Sequence, residues 1–238
     1  MSGFIGTKLT MNLGERSYDI ILKNGALENL YQFARLDRRV AVVTDAGVPA
    51  EYAQRVADQC RDAKIITVPQ GEASKSMKIL ESVLRQMLEF NMGRGDLVIA
   101  VGGGVVGDIG GLAAALYMRG ISCVQVPTTL LAQADSGVGG KTAVDLGGVK
   151  NVVGAFYQPC EVIVDPMFLS TLPPREIKCG LGELVKYAAL DGGIFELLKA
   201  NADKLSEREF LFSLILPSVK HKAVSYTHLR AHETRHDL

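Results

Sequence analysis

The sequence lacks the features that mark several large classes of protein. Its four cysteines, Cys60, Cys123, Cys160 and Cys179, form no C-x-x-C pair, which argues against a disulfide framework or a thiolate zinc site and favours reduced thiols. Lys plus Arg and Asp plus Glu both number 26, so no net charge favours nucleic acid or an anionic membrane. No apolar run reaches the length of a signal peptide or a membrane span. These absences predict a cytoplasmic protein without nucleic-acid or membrane partners.

Strands and helices alternate along the first two thirds of the chain. Hydrophobic residues make up 47% of the sequence, enough for a sizeable core. The apolar runs that predict strands are 38–45, 64–72, 97–104 and 121–129, and helical periodicity lies between them at 48–63 and 76–90. This alternation predicts parallel βαβ units. After about residue 170 the sequence reads as helical, with Pro173-Pro174 as a candidate hinge.

The stretch LVIAVGGGVVGDIGG, residues 97–111, predicts a strand, a glycine turn and a helix. Gly102, Gly104 and Gly107 have the G-x-G-x-x-G spacing that lets backbone approach a dinucleotide pyrophosphate. The alternative is tight helix packing without a ligand. The following strand does not end in an acid that would hold a ribose, but the earlier strand ends at Asp45. If NAD binds, its fingerprint is therefore divided between two turns.

A second candidate segment is QGEASKS, residues 70–76. It follows a predicted strand and so places Glu72 and Lys75 at the edge where open α/β sheets bind ligands. The alternative interpretation is a capped helix start, with Ser74 or Ser76 as the N-cap.

The stretch 126–151 sets Asp135, Lys141, Lys150 and Asn151 among glycines. Glycine-rich loops lose much conformational entropy on ordering. Ammonium groups and backbone amides suit a phosphate or carboxylate ligand. The alternative is a solvated, flexible loop.

GLGELVK places Glu183 and Lys186 three residues apart on one predicted helix face. The simple interpretation is a surface ion pair. The functional interpretation makes Glu183 a metal ligand and Lys186 a substrate contact.

Together, PQGEASKS, GGGVVGD, YMRGI, PTTLLAQADSGVGGKTAVD, KNVVGAFYQP and GLGELVK resemble, in order and spacing, the motifs of the 3-dehydroquinate synthase family of sugar phosphate cyclases. The resemblance implies an α/β fold: a parallel-sheet, Rossmann-like NAD-binding domain over 1–170, then the start of an all-α domain over 171–224. It implies a homodimeric, phosphate-eliminating lyase of the shikimate pathway of aromatic amino acid biosynthesis. The substrate would be 3-deoxy-D-arabino-heptulosonate 7-phosphate and the product 3-dehydroquinate, with catalytic NAD and a zinc or cobalt ion.

Carried over by motif, the resemblance implies a set of NAD contacts: Asp45, Glu72, Lys75, Gly103, Gly104, Val105, Asp108, Thr128, Thr129, Lys141, Lys150, Asn151, Phe168, Leu169, Ser170 and Thr171. It implies that Asp135 and Lys186 bind substrate hydroxyls, that Lys222 binds the carboxylate, and that Lys141, Lys150 and Asn151 bind the phosphate end and the nicotinamide side. Arg119 would reach the phosphate of a neighbouring subunit, and Glu183 would be one of three metal ligands.

From Ser225 onwards the resemblance ends. We interpret 225–238 as a non-native tail on a truncated chain and expect the chain to be inactive, because one carried-over metal ligand is too few. His228, His232 and His236 have the spacing of a helical ligand ladder, but a short polar tail offers no outer shell to orient them. His221 is expected on a helix surface rather than at a metal.

Three other functions remain open. A related sugar phosphate cyclase would vary in the loop DSGVGGKT. An iron- or zinc-dependent polyol dehydrogenase would release reduced cofactor and usually reads T-G-S-E there. A non-catalytic NAD-binding module would release neither product.

Overall fold

A seven-stranded sheet organises the part of the chain that the structure describes. This computed structural model describes the backbone of residues 6–205 and 207–233 and the side chains of 6–205 and 207–224. The strands are β1 (Thr7–Met11), β2 (Tyr18–Leu22), β3 (Arg39–Asp45), β4 (Asp62–Val68), β5 (Leu97–Gly102), β6 (Ser122–Pro127) and β9 (Glu161–Val164), in the spatial order β1-β2-β9-β6-β5-β3-β4. β1 and β2 are antiparallel, and all other neighbours are parallel. The predicted α/β class with a parallel sheet is confirmed.

Four of these strands follow the predicted apolar runs. Every residue of β5 is buried, because helices cover both faces of a parallel sheet and such strands are apolar throughout. β1, β2 and β9 have no counterpart among the predicted strands. Each has only four or five residues, too few for a clear periodic signal, and their positions depend on pairing with distant parts of the chain.

The helices are α1 (Ala50–Ala57), α2 (Met77–Glu89), α3 (Gly104–Leu116), α4 (Pro174–Leu190), α5 (Gly192–Ala200) and α6 (Arg208–Glu233). The helix predicted over 48–63 is shorter than expected, because β4 already begins at Asp62. Ser76 caps α2 and its hydroxyl accepts a hydrogen bond from the Ile79 amide at 3.4 Å. The capped-helix interpretation of 70–76 is therefore confirmed for Ser76, and Pro174 occupies the first turn of α4.

The expectation of an irregular glycine-rich loop is wrong for the second half of 126–151. β7 (Lys141–Leu146) and β8 (Val149–Phe156) form an antiparallel hairpin, closed by Gly147 and Gly148 at positive φ. Val144 is fully buried and Thr142 is 4% exposed. The hairpin packs on α3, where a Cβ on Gly111 would lie 2.5 Å from Thr142 Cγ2. Tertiary packing orders these glycines.

A hydrophobic cluster joins α4, α5 and α6 to the β1-β2-β9 side of the sheet. It includes Met11 and Ile20 from the strands, Leu184 from α4, and Leu214 and Ile215 from α6. The predicted domain boundary at 170/171 remains a prediction.

The structure describes the end of the chain only in part. The backbone of α6 runs to Glu233, and the side chains of His228, His232 and His236 lie outside the described residues. Among the helices that the structure describes, none is both long and apolar enough to cross a bilayer.

Gly154 in β8 tests the hairpin. A Cβ there would lie 2.2 Å from the Thr142 carbonyl oxygen, which the strand pairing holds in place. We expect Gly154→Ala to lower the free energy of unfolding by about 1–3 kcal/mol, as overpacking does, measured by chemical denaturation. Gly182→Ala is the control, since that helical position has open space around it. This variant should raise the free energy of unfolding by about 0.5–1 kcal/mol. Equal responses would contradict the described packing.

Candidate functional site

Two adjoining clefts open at the carboxyl edge of the sheet. The glycine cleft has a volume of about 370 Å³, and the residues lining it include Asp45, Glu72, Lys75, Gly103, Gly104, Val105, Asp108, Thr128, Thr129, Phe168 and Thr171. The lysine cleft has a volume of about 570 Å³ and its lining includes Asp135, Lys141, Asn151, Phe156, Lys186 and Lys222. Asp108 and Ser136 line both clefts, so ligands in the two would be neighbours.

The glycine cleft is built on the turn from β5 to α3. Gly103 caps the helix and Gly104 begins it, so the predicted strand, turn and helix are confirmed. A Cβ on Gly104 would lie 3.0 Å from Ser136 Oγ, and one on Gly103 would lie 3.2 Å from Thr129 Cγ2. Side chains here would fill the cleft. The first amides of a helix have no intrahelical acceptors and favour anions.

Asp45 ends β3 at the mouth of the same cleft. Its Oδ1 accepts hydrogen bonds from the amides of Gly47 at 2.7 Å and Val48 at 3.2 Å. These bonds fix the carboxylate where the chain turns away from the sheet. The carboxylate therefore has a structural role in this turn, in addition to any contact with a ligand.

Lys75 lies between the two clefts. Its side chain is 6% exposed, and its Nζ lies 2.6 Å from Asp108 Oδ2. The same ammonium donates to the side-chain oxygen of Asn151. Burial raises the pKa of Asp108, and the neighbouring Lys75 opposes that shift. The segment 70–76 therefore both caps a helix and supplies a buried cation.

Asp135 is the central acid of the lysine cleft. It lies in a π-helical turn, Ala132–Ser136, a geometry that is frequent at functional sites. Its Oδ1 accepts from Lys222 Nζ at 2.5 Å and from the Tyr187 hydroxyl. Burial by itself would raise the pKa of Asp135, but Lys222 and Tyr187 outweigh it and hold the pKa below the usual carboxyl value. Asp135 is therefore an ionised acceptor at neutral pH.

The structure separates Lys141 from Lys150. Lys141 lines the lysine cleft. Lys150 is 70% exposed and its Nζ lies 3.2 Å from Glu72 Oε1, at the rim of the glycine cleft. Lys141 pairs with Phe156 at the open end of the hairpin, whereas Lys150 lies beside the turn, so the two ammonium groups lie apart.

Other predicted residues divide in the same way. Phe168 and Thr171 line the glycine cleft, whereas Leu169 is fully buried in the core and Ser170 lines a neighbouring hollow. Arg119 lies in the turn after α3, outside the described linings of both clefts.

Tyr187 and Ser136 were not among the predicted site residues. Tyr187 lies four residues after Glu183 on α4, a spacing that places both on one helix face. This four-residue spacing from Glu183 is the feature of the sequence that could have identified Tyr187 as a site residue. Ser136 directly follows Asp135 and carried no signal of its own.

Among the residues whose side chains the structure describes, no cluster fits a divalent metal ion. Glu183 Oε1 lies 2.6 Å from Lys186 Nζ, so the simple ion pair that the spacing predicted is present. In the part of the chain with described side chains, no three His, Cys, Asp or Glu residues come together as metal ligands. His221 differs from the expected surface position: it is 18% exposed, its Nδ1 lies 3.4 Å from Asp191, and its ring packs against Tyr187.

The family model and the curated relative that match this chain carry the same description, 3-dehydroquinate synthase. Residues 65–179 match the family model described as 3-dehydroquinate synthase N-terminal. The chain is 47% identical over 208 residues to the 3-dehydroquinate synthase of Caulobacter vibrioides, an alignment covering 84% of this chain and 56% of that protein. The chain thus spans less than two thirds of that relative's length.

Two solved structures share the fold. One is 2-epi-5-epi-valiolone synthase from Streptomyces hygroscopicus with NAD⁺ and Zn²⁺ bound: TM-score 0.77, 31% identity, covering 88% of this chain and 61% of that one. The other is 2-deoxy-scyllo-inosose synthase complexed with carbaglucose-6-phosphate, NAD⁺ and Co²⁺: TM-score 0.71, 31% identity, covering 76% of this chain and 50% of that one.

The Asp135–Lys222 pair predicts a pH-dependent stability. We expect Lys222→Met to lower the free energy of unfolding at pH 7 by about 1–3 kcal/mol, because a mostly buried carboxylate loses its cation. Since the folded pKa of Asp135 is lowered, its contribution is complete above the usual carboxyl value of 3.8 and is lost as the pH falls through the folded value.

Denaturation at several pH values measures this difference between wild type and variant, which should shrink in acid. Lys8→Met is the matched control, because its pair with Asp19 is 62% exposed on the lysine side and solvent screens it. A Lys222 effect that does not change with pH would contradict the ion pair.

Proposed function

The chain belongs to the 3-dehydroquinate synthase family, and we propose that it binds NAD in the glycine cleft and a sugar phosphate in the lysine cleft of such an enzyme. The reaction is the conversion of 3-deoxy-D-arabino-heptulosonate 7-phosphate to 3-dehydroquinate and phosphate in the shikimate pathway. The observation that carries this proposal is that Asp108 and Ser136 line both clefts, which supports a sugar phosphate and a dinucleotide bound as neighbours.

The glycine cleft fits NAD. Gly103 and Gly104 leave space that a side chain would fill, and the α3 N-terminus favours the pyrophosphate. Asp45, at the end of β3, is placed to accept from ribose hydroxyls. The remaining contacts would come from Glu72, Lys75, Val105, Asp108, Thr128, Thr129, Phe168 and Thr171, all in the lining. NAD, when bound, supplies a reversible hydride acceptor for the oxidation of a ring hydroxyl.

The lysine cleft fits an anionic, hydroxylated substrate. Lys141, Lys186 and Lys222 supply three cations, and ammonium groups bind phosphate and carboxylate as point charges. Both described hydrogen bonds to Asp135 end on Oδ1, so Oδ2 is placed to accept from a substrate hydroxyl. The ion pair with Lys222 keeps that oxygen deprotonated and oriented. Asn151 lines the same cleft and adds an amide on the side of Lys75.

The role of Glu183 as a metal ligand stays a prediction. The similar cyclases hold Co²⁺ or Zn²⁺, but among the described side chains Glu183 is not part of a cluster of three or more metal-ligating residues. We propose that this chain by itself gives no turnover, because the family motifs carry over one metal ligand, Glu183, and a catalytic site needs about three.

A homodimer is part of the proposal. Met118 and Arg119 have positive φ values of 52° and 68°, a strained conformation for residues with side chains. Leu116 and Met118 on the same turn are 50% and 44% exposed. These features support a contact in which Arg119 reaches the substrate phosphate of a second copy. We also propose a cytoplasmic location, supported by the four free cysteines.

NAD binding by the chain is directly measurable. We expect Asp45→Ala to weaken NAD binding about 10- to 100-fold, the effect of losing charged hydrogen bonds to the ribose, measured by titration calorimetry. Asp62→Ala is the control, because that carboxylate begins the neighbouring β4 at the opposite edge of the sheet. A folded wild-type chain that binds no NAD would overturn the cofactor assignment.

The type of chemistry is tested by measuring two products together. The chain is incubated with the heptulosonate phosphate, NAD and zinc, and inorganic phosphate and NADH are followed. We expect neither product, with calorimetry detecting sugar phosphate bound beside NAD and Lys141→Ala weakening the sugar phosphate only. Phosphate turnover would contradict the proposed inactivity. Accumulating NADH would favour a dehydrogenase, and NAD binding without sugar phosphate would favour a non-catalytic module.

A further inference from the structure

We propose that Asp145, which lines neither cleft, is a positioning residue that sets Asn151 against Lys75 and thereby holds the hairpin to both clefts. The proposal rests on the proposed function, because its main readout is NAD affinity. Asp145 ends the motif PTTLLAQADSGVGGKTAVD, but the resemblance gave it no role.

Asn151 has an unusual backbone conformation. Its φ is +55°, in the left-handed region that costs residues with a Cβ free energy, although Asn tolerates it better than most. Asp145 Oδ1 accepts a hydrogen bond from the Asn151 amide at 2.8 Å. This bond spans the hairpin turn and holds Asn151 in the strained conformation.

The backbone of Asp145 is itself held by a hydrogen bond to Lys75. Its amide donates to the Lys75 carbonyl oxygen at 2.9 Å, in the isolated bridge that pairs Ser76 with Asp145. The carboxylate is therefore fixed relative to the segment that carries Lys75. The hairpin cannot shift along this segment without breaking that backbone bond.

Lys75, Asp145 and Asn151 form a closed ring of contacts. The Lys75 ammonium donates to the Asn151 side-chain oxygen and pairs with Asp108, which lines both clefts. The ring thus runs from the Lys75 backbone to Asp145, from Asp145 to Asn151, and from Asn151 back to the Lys75 side chain. Loss of the Asp145 carboxylate frees Asn151, so the buried Lys75 ammonium loses its neutral acceptor.

The chemistry of Asp145 in this ring is hydrogen bonding rather than charge. An asparagine at this position keeps a side-chain oxygen that accepts from the Asn151 amide. Asp145→Asn should therefore preserve the arrangement, and Asp145→Ala should not. A role that depended on negative charge would be lost in both variants.

The experiment measures the NAD dissociation constant of the whole chain by titration calorimetry. We expect Asp145→Ala to weaken NAD binding about tenfold, the equivalent of one hydrogen bond, and Asp145→Asn to stay within about twofold of wild type. Asp96→Ala is the matched control, because Asp96 accepts from the amides of Arg39 at 3.1 Å and Gly93 at 2.6 Å, away from both clefts. It should lower stability without changing NAD affinity.

A double-mutant cycle tests whether Asp145 acts through Asn151. Asn151→Gly adopts positive φ readily but lacks the amide oxygen, so adding Asp145→Ala to it should weaken NAD binding no further. Independent, additive effects would overturn the proposal, as would an unchanged affinity in Asp145→Ala. If wild type binds no NAD, the proposed function fails, and the local inference is then decided by hydrogen exchange. Exchange of the Asn151 amide should be faster in Asp145→Ala and unchanged in Asp145→Asn, and any other pattern refutes it.

Discussion

The buried ammonium of Lys75 is the constraint on which the arrangement of the two clefts depends. At 6% exposure, its charge has lost most of its hydration, and burying an unpaired charge is costly. Asp108 neutralises it and Asn151 supplies a further acceptor. These partners come from α3 and from the hairpin, so satisfying one cation fixes the hairpin relative to the main sheet.

A second, half-buried ion pair organises the lysine cleft in the same way. Asp135 is held by Lys222 on α6 and by Tyr187 on α4. The contact between Asp135 and Lys222 spans 87 residues of sequence. Without the Lys222 ammonium, burial would raise the pKa of Asp135. With that ammonium in place, the carboxylate stays an ionised acceptor. The helices after residue 170 therefore contribute to the charge of the site as well as to the core.

Local sequence patterns predicted much of the framework correctly. The strand, glycine turn and helix predicted over 97–111 and the Ser76 cap depend on neighbouring residues and on periodicity, so a single sequence contains the necessary information. The hairpin was missed because glycines at its turn resemble a loop, and because its alternating burial depends on the α3 surface. The separation of Lys141 and Lys150 was missed for the same reason: the strand register places Lys141 at the open end of the hairpin and Lys150 beside its turn.

The sequence by itself determined the α/β class, the glycine turn at the carboxyl edge and the set of charged residues available to a site. These follow from short-range periodicity and from residue types that carry particular chemistry. Only the tertiary structure decided which of those charges meet. Asn151 lies 76 residues from Lys75, and Lys222 lies 87 residues from Asp135. Such contacts are selected by the burial of charge in the folded chain rather than by any local pattern.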